Sequence, residues 1–589
     1  MKRSILFMIT LLLIGGISCK KDFLDEKPGD FLSSSNAFVN AADFNASVNN
    51  LYRLVRTELY TAGENGPWDY LNRTDLAVAP ISGNPPNFQA EYNPVNSFTN
   101  GHWNAWYKIV AESNTIISRI PKSQLSDNDK KLFEARARFF RAFAYRCLAY
   151  LFGGVPLELE EVVEPKTDYT RATRKEVYKQ VIEDLVFAAA NLPGINAVAR
   201  DGEVSNLAAQ HLLSEVYIAD GQYQKAVDAA TIVITDANMA LMTTRFGTRR
   251  TETPGDVYWD MFRRGNQNRK GAGQNRESIW VAQIEMDIPG GGGSTTPSGF
   301  PFPEIYTLER VHVPLLRDLK LPTGGSPALR EPINWPAADY SSGGRGVGFM
   351  APSMYFVHNI YQYQGTGATP DSVNDIRNAN HNLVRKFAVT RPGNPLYPVG
   401  YLIDFDNLPA GTTGFNGALM KSGDTYNRTI YPYQTKATEP FNPPANLLDP
   451  AKQFPYQLKG VAAGTYRDEY IFRLAETYLL RAEAYLGLGK TTEAAADINV
   501  VRARSSASPV AAASVDIDLI LDERLRELGM EERRMFTLLR LGKWFDRVKK
   551  CNPFYAPVAD PKYNLWPIPQ AEIDRNRTAK LEQNPGYPS

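Results

Sequence analysis

Apolar positions recur at helical spacing through the first part of the chain. Phe44, Val48, Leu51, Tyr52, Val55 and Leu59 fall three and four residues apart and predict one amphipathic helix. A second helix is expected near Trp103 to Ile120, with Trp103, Trp106 and Val110 on its core face. A third opens at Ser126 with Asp129 three residues on, a variant of the capping box. It carries Leu132, Phe139, Phe143 and Cys147 and stops at Gly153-Gly154. A fourth opens on a Thr173…Glu176 capping box and turns Val177, Val181 and Leu185 inward.

Two later stretches read as helix pairs. "LSEVYIADGQYQKAVDAATIVI" gives a helix, a turn at Asp220-Gly221 and a second helix in which Ala226 allows close packing. "AETYLLRAEAYLGLGKTTEAAADINVVRARS" repeats the plan, with a turn from Gly487 to Gly489 and Ala494 in the small position. Both follow the logic of a tetratricopeptide repeat. Other material separates them, so no tandem array is expected. The second pair also contains Ala484-x4-Gly489-Lys490-Thr491, a relaxed P-loop pattern. A P-loop needs a buried strand before its glycines, whereas Leu474, Tyr478, Leu479 and Ala482 repeat at helical spacing. The motif is expected to be a turn between helices.

Between about Asn238 and Gly460 the helical period fades and Gly, Pro and aromatic residues dominate. "ESIWVAQIEM" is a strand candidate, with Ile279, Val281 and Ile284 partly alternating. Irregular stretches of this length and aromatic content point to function. Further on, "DERLRELGMEERRMF" reads as a salt-bridged helix face, with a basic partner patch as the alternative. Glu523, Arg526, Glu527 and the later Arg533-Arg534 would make local ion pairs there. The expected class is mainly α, an irregular helix-pair scaffold with a loop-rich, partly β insertion.

The N-terminus adds a location. Lys2-Arg3, an apolar run from Ile5 to Ile14 and small residues before Cys19 form an export signal too short for a permanent membrane span. Gly15-Gly16-Ile17-Ser18-Cys19 resembles a lipobox, although Gly16 stands where Leu is usual. Acylation of Cys19 would tether the chain by lipid alone, each buried methylene contributing about 0.8 kcal/mol. The remaining Cys147 and Cys551 do not make a disulfide framework. With 65 basic and 64 acidic residues and a formal charge of +1, no basic field draws in nucleic acid. The five histidines, His102, His211, His312, His358 and His381, show no metal-ligand spacing, and there is no G-x-S-x-G elbow. No cofactor, metal or catalytic residue is assigned, although paired carboxylates of the glycosidase kind remain open.

Several segments, in order, carry a family likeness: "CKKDFLDEKP", "HWNAWYKIVAESNTIISRI", "EARARFFRAFAYRCLAYLFGGVPL", "FRLAETYLLRAEAYLGLGK", "LDERLRELGMEERRMFTLLRLGKW" and "LWPIPQAEIDRNRTAKLEQNPGY". Together they resemble the SusD/RagB family of surface lipoproteins. Trp544 and Trp566 fall in these segments and are expected to be structural. The resemblance implies a tetratricopeptide-like (SusD-like) scaffold and a non-catalytic protein of the outer membrane, facing the cell exterior. It also implies a partner, a SusC-like TonB-dependent outer-membrane barrel that receives bound glycan or peptide. The boundaries expected are a signal peptide at 1–18, helical regions at 19–237 and 461–589, and a ligand-binding insertion at 238–460.

The resemblance supplies no ligand residue, so candidates come from the residues themselves. A glycan presents C–H faces to aromatic rings and edge hydroxyls to Asn, Asp and Arg. Two loops offer that mixture. Trp68 and Tyr70 sit with Asp69, Asn72, Arg73 and Asp75, and Trp335 and Tyr340 sit with Asp339 and Arg345.

Overall fold

The computed structural model describes residues 38–61, 66–80, 87–285, 306–452, 457–460, 462 and 464–588. The export signal and Cys19 lie outside the described residues.

Local sequence sets the first helices. In α1 (Ala41–Arg56) the side chain of Asn40 caps the first turn and Asp43 returns the bond, while Phe44, Val48, Leu51 and Val55 face inward. The chain continues into a π-helical turn, Thr57–Thr61. Then α2 (Ser97–Arg119) buries Trp103 and Trp106. The Oγ of Ser126 accepts the Asp129 amide at the head of α3 (Asp127–Phe152), and Gly153 ends the helix at φ 78°. That left-handed φ favours a residue without a Cβ. Cys147 is buried in α3 as a free thiol, as is Cys551 further on. The expected Thr173–Glu176 box caps α4 (Arg174–Asn191).

The next helices are α5 (Asn206–Ala219) and α6 (Tyr223–Thr235), then, after the insertion, α7 (Leu474–Gly487) and α8 (Thr491–Arg504). From α2 to α8 each helix packs on the next, and α6 packs on α7 across the insertion. The expectation of separated pairs is therefore corrected: the array is continuous in space although interrupted in sequence. Gly487 makes the joint possible, because a Cβ there would stand 2.5 Å from Cδ1 of Tyr223. The P-loop-like residues form the α7–α8 turn, with Gly489 at φ 72° and Ala484 buried in α7.

The insertion is mostly irregular. Its longest strand, β1 (Ser278–Ala282), pairs antiparallel with β4 (Glu469–Arg473), and β2 (Lys386–Ala388) pairs with β3 (Leu402–Asp404). Every residue of β1 is buried, so the expected alternation is replaced by a strand covered on both faces. Trp280 fills the second face, with ring centroids 5.4 Å from Phe139 and 5.6 Å from Phe143 and Phe472.

Three more helices follow, α9 (Ile517–Leu528), α10 (Arg534–Arg540) and α11 (Trp544–Cys551), before a short one at Gln570–Arg575. The expected salt-bridged face of α9 keeps its local Glu523–Arg526 pair but is buried, at the centre of an ion lattice. Glu523 lies 2.8 Å from Arg377, 2.7 Å from Arg502 and 2.8 Å from Arg526. Glu527 pairs with Arg473 at 2.6 Å, with Arg377 at 3.0 Å and with Arg504. Burial alone would raise the Glu523 carboxyl, but Arg377, Arg502 and Arg526 outweigh it and hold the value at about 2. Most of these partners come from the insertion, β4 and α8, so the lattice bolts the irregular region to the helices.

Candidate functional site

The two candidate loops have different fates. In the first, Trp68 belongs to a single turn, Gly66–Asp69, and is 9 % exposed, with its ring edge-on to Phe349 at 6.0 Å. Tyr70 is fully buried. Its hydroxyl donates to Glu58, lies 2.8 Å from His102 Nδ1 and accepts from Trp106 Nε1 at 3.1 Å. Burial would lower the His102 imidazole, but Glu58 and Asp69 outweigh it and raise it to about 10.

Arg73, at φ 59°, lies 5.1 Å over Phe98 and pairs with Glu91 at 2.5 Å. Asp75 is held between Arg534 and Arg547, 2.8 Å from each. Burial pushes its carboxyl up, and the two guanidinium groups more than reverse this, to about 2. The reading of Tyr70, Arg73 and Asp75 as loop-surface contacts is therefore corrected. They join the N-terminal segment to α10 and α11, and the Tyr70 hydroxyl and both Asp75 oxygens already have protein partners.

The second loop keeps its aromatics at the surface. Ser342 Oγ accepts the Ala337 amide at 3.1 Å, Asp339 accepts the Ser342 amide at 2.7 Å, and Ala337 bridges Gly344. Gly344, at φ 100°, lies against Glu309, where a Cβ would stand 2.1 Å from Oε1. Burial raises the Glu309 carboxyl to about 8, only partly offset by the Arg345 amide it accepts at 3.3 Å. On this fixed loop Trp335 is half-buried, with the guanidinium carbons of Arg317 and Arg345 at 5.4 and 5.8 Å from its ring centre.

Tyr340 stands edge-on to the exposed Phe441 at 4.9 Å. With Asn334 and Asp339 it lines an open cleft of 770 Å³, whose other walls include Asn380, Lys386 and Gln457. Burial moves the Asp339 carboxyl up to about 6.

Residues without a sequence signal complete the surface. The Arg428 guanidinium carbon lies 4.7 Å from the Phe349 ring centre and 4.8 Å from that of Phe415. Burial lowers the Arg428 guanidinium pKa, and Arg317 is among the lesser contributors of the same sign. Rings and guanidinium groups thus form a strip in two parts, Trp68, Phe349, Arg428 and Phe415 in one and Arg317, Trp335 and Arg345 in the other. Phe349, Phe415, Trp335, Arg345 and Arg428 are half-buried, and Arg317 is exposed. Such a strip offers flat apolar faces flanked by multiple N–H donors, suited to a ligand with C–H faces and acceptor-bearing edges.

Two family models match the chain. One described as "SusD family" covers residues 330–587, and one described as "Starch-binding associating with outer membrane" covers residues 22–218. A SusD-like protein P2 of Formosa agariphila is 24 % identical over 614 residues, spanning 100 % of both chains. The starch-binding protein SusD of Bacteroides thetaiotaomicron is 36 % identical over 135 residues, 22 % of this chain and 24 % of that protein. Among solved structures, a laminarin binding SusD-like protein aligns with a TM-score of 0.61 at 21 % identity, covering 93 % of this chain and 100 % of that one. Surface glycan-binding protein A from Bacteroides fluxus gives 0.59 at 18 % identity, with coverage of 93 % and 100 %. At these identities the structures establish a shared fold.

Proposed function

Since this chain belongs to the SusD family, we propose that it is a surface lipoprotein that binds extracellular oligosaccharide without cleaving it. In this reading it passes the ligand to a SusC-like TonB-dependent barrel in the outer membrane. The observation that carries the ligand class is Trp335, half-buried on a fixed loop with Arg317 and Arg345 within 6 Å of its ring centre. A sugar ring would lie on the indole face while the guanidinium groups donate to its hydroxyls. A rigid aromatic anchor loses little conformational entropy on binding. The strip through Arg428 and Phe349 to Trp68 would extend contact over further sugar units, and the cleft beside Tyr340 and Phe441 would take a branch or a chain end. Cys19 would carry the lipid.

The test is a native affinity gel of soluble protein beginning after Cys19, run through starch, laminarin and other polysaccharides with reducing ends assayed in parallel. Retardation by one glycan class, lost in Trp335→Ala and without new reducing ends, is the expected result. New reducing ends would replace binding with hydrolysis. Absence of retardation in every gel would overturn the glycan reading and move the ligand to peptides. Lipid labelling of the full chain, abolished in Cys19→Ala, checks the anchor.

A further inference from the structure

A second concave site lies away from the glycan strip, where α2 meets the segment after α3 and the C-terminal tail. It is a cavity of 250 Å³ whose lining includes Trp103, Tyr107, Tyr169, Glu158, Glu160 and Glu572. The rings are fixed. Trp103 and Tyr107 are 4.9 Å apart, the Tyr107 hydroxyl donates to the Pro156 carbonyl at 2.6 Å, and the Tyr169 amide donates to Asn576 Oδ1 at 2.7 Å. The acidic side is fixed as well, because Asn114 Nδ2 donates to the Glu158 carbonyl at 2.9 Å.

Aromatic faces with carboxylates at their rim attract one ligand class above others, a cation whose charge is spread over an apolar group. The protein already places a cation here. Lys166 Nζ sits 4.9 Å from the Tyr169 ring centre and 2.7 Å from Glu158 Oε1, so an ammonium group of the chain itself marks the mouth of the cavity. Glu572 pairs with Arg575 at 2.7 Å, whereas Glu160 makes no salt bridge among the described residues. Arg171 directs its guanidinium at the Gly154, Phe152 and Glu582 carbonyls and at Asn584. Leu159, Val162 and Val163 are exposed on the same segment and extend the apolar rim.

We propose that this cavity is a binding site for a small organic ammonium ion, held on the Trp103, Tyr107 and Tyr169 rings and steered by Glu160 and Glu158. An inorganic cation would find too few oxygen ligands among these walls, and a neutral solute would forgo the electrostatic part. Lys166 competes for the same ring and the same carboxylate, so it acts as a tethered antagonist of the site.

The test titrates choline into the soluble protein and follows Trp103 by fluorescence and by the indole N–H signal. Its neutral isostere 3,3-dimethylbutan-1-ol runs alongside. Choline is expected to bind saturably and about tenfold more tightly than the isostere, the gap that a partly desolvated cation–π contact provides. Glu160→Gln, at an exposed position, should weaken choline several-fold. Lys166→Ala should tighten it about threefold by freeing Glu158 and the Tyr169 face. Trp335→Ala should leave it unchanged. Equal binding of choline and the isostere, no saturable response to choline, or a Lys166→Ala variant that binds more weakly would each overturn the proposal. Glycan retardation is read separately, so either site can fail alone.

Discussion

Arginine does opposite work in two parts of this molecule. Around α9 the guanidinium groups of Arg377, Arg502 and Arg526 are almost wholly excluded from water and face carboxylates at 2.7–2.8 Å. On the strip they face aromatic rings at 4.7–5.8 Å and reach the surface. In the first setting each charge meets more than one carboxylate and is fixed, and removing one leaves a buried ion undercompensated. In the second Arg317 pairs with Asp318 at 2.9 Å and Arg428 donates to the Val347 carbonyl at 2.8 Å, and both stay partly open to solvent. A ring alone does not separate the two settings, since Arg502 and Arg526 also lie 5.1 and 5.4 Å from the Tyr363 ring centre; burial and the number of carboxylates do.

The sharpest way to break that comparison is to remove a lattice carboxylate. Glu527→Ala leaves Arg504 with Glu277 alone and Arg473 with Glu277 and Glu531, an undercompensated set of buried charges that should cost about 3–5 kcal/mol, read as a lower urea midpoint. Asp75→Asn comes next, at about 2–3 kcal/mol, because Arg534 and Arg547 lose the charge and one of the two acceptor oxygens they share. Glycan retardation by Asp75→Asn should persist wherever the protein is folded, and its selective loss would return Asp75 to the ligand. Gly487→Ala should cost about 1–3 kcal/mol by forcing Tyr223 aside, and pairing it with Tyr223→Ala should recover part of that loss. Trp335→Ala inverts the pattern, with at least tenfold weaker glycan binding, about 1.4 kcal/mol, and a nearly unchanged unfolding midpoint. Arg317→Ala, on an exposed side chain, should change stability by about 0.5 kcal/mol or less while weakening glycan binding several-fold.

Acid sharpens the same contrast through linkage. Glu523 and Asp75 are depressed to about 2. The stability they contribute is complete above their unfolded values near 4 and is lost as pH falls through 2. Glu309 is raised to about 8, so the folded state holds a proton that the unfolded state has released. Its contribution is therefore complete below the unfolded value and is lost as pH rises towards 8. Urea midpoints measured from pH 2 to 9 should show both limbs, and Glu309→Gln should flatten only the alkaline one.

What was legible in the sequence follows the range of the interactions. The caps at Ser126 and Thr173, the stop at Gly153 and the Ala484–Thr491 turn are decided within a few residues, and each stands where the pattern placed it. The docking of α6 on α7 was not legible, because residues 236–473 intervene and neither helix face names its partner. Glu523 and Glu527 read as members of local pairs because, Arg526 apart, their counter-ions Arg377, Arg473, Arg502 and Arg504 come from other segments of the chain. For the same reason Tyr70 and Asp75, polar residues in a short irregular stretch, gave no sign that α10 and α11 would enclose them. Trp335 and Arg345 could be read together because one loop carries both. Arg317, Phe349, Phe415 and Arg428 reach that surface from separate segments and carry no local mark.

The contact between α6 and α7 also sets an order of assembly. Helices α2 to α6 meet neighbours close in sequence and can form as the chain emerges. The α7 face must wait until the whole insertion has been made, and joining it closes a very long loop. The entropy of that closure rises only with the logarithm of loop length, so the delay weighs on rate more than on final stability. Until then the apolar side of α6 stands open, and the chain passes through that interval as a partly built array with an uncovered edge.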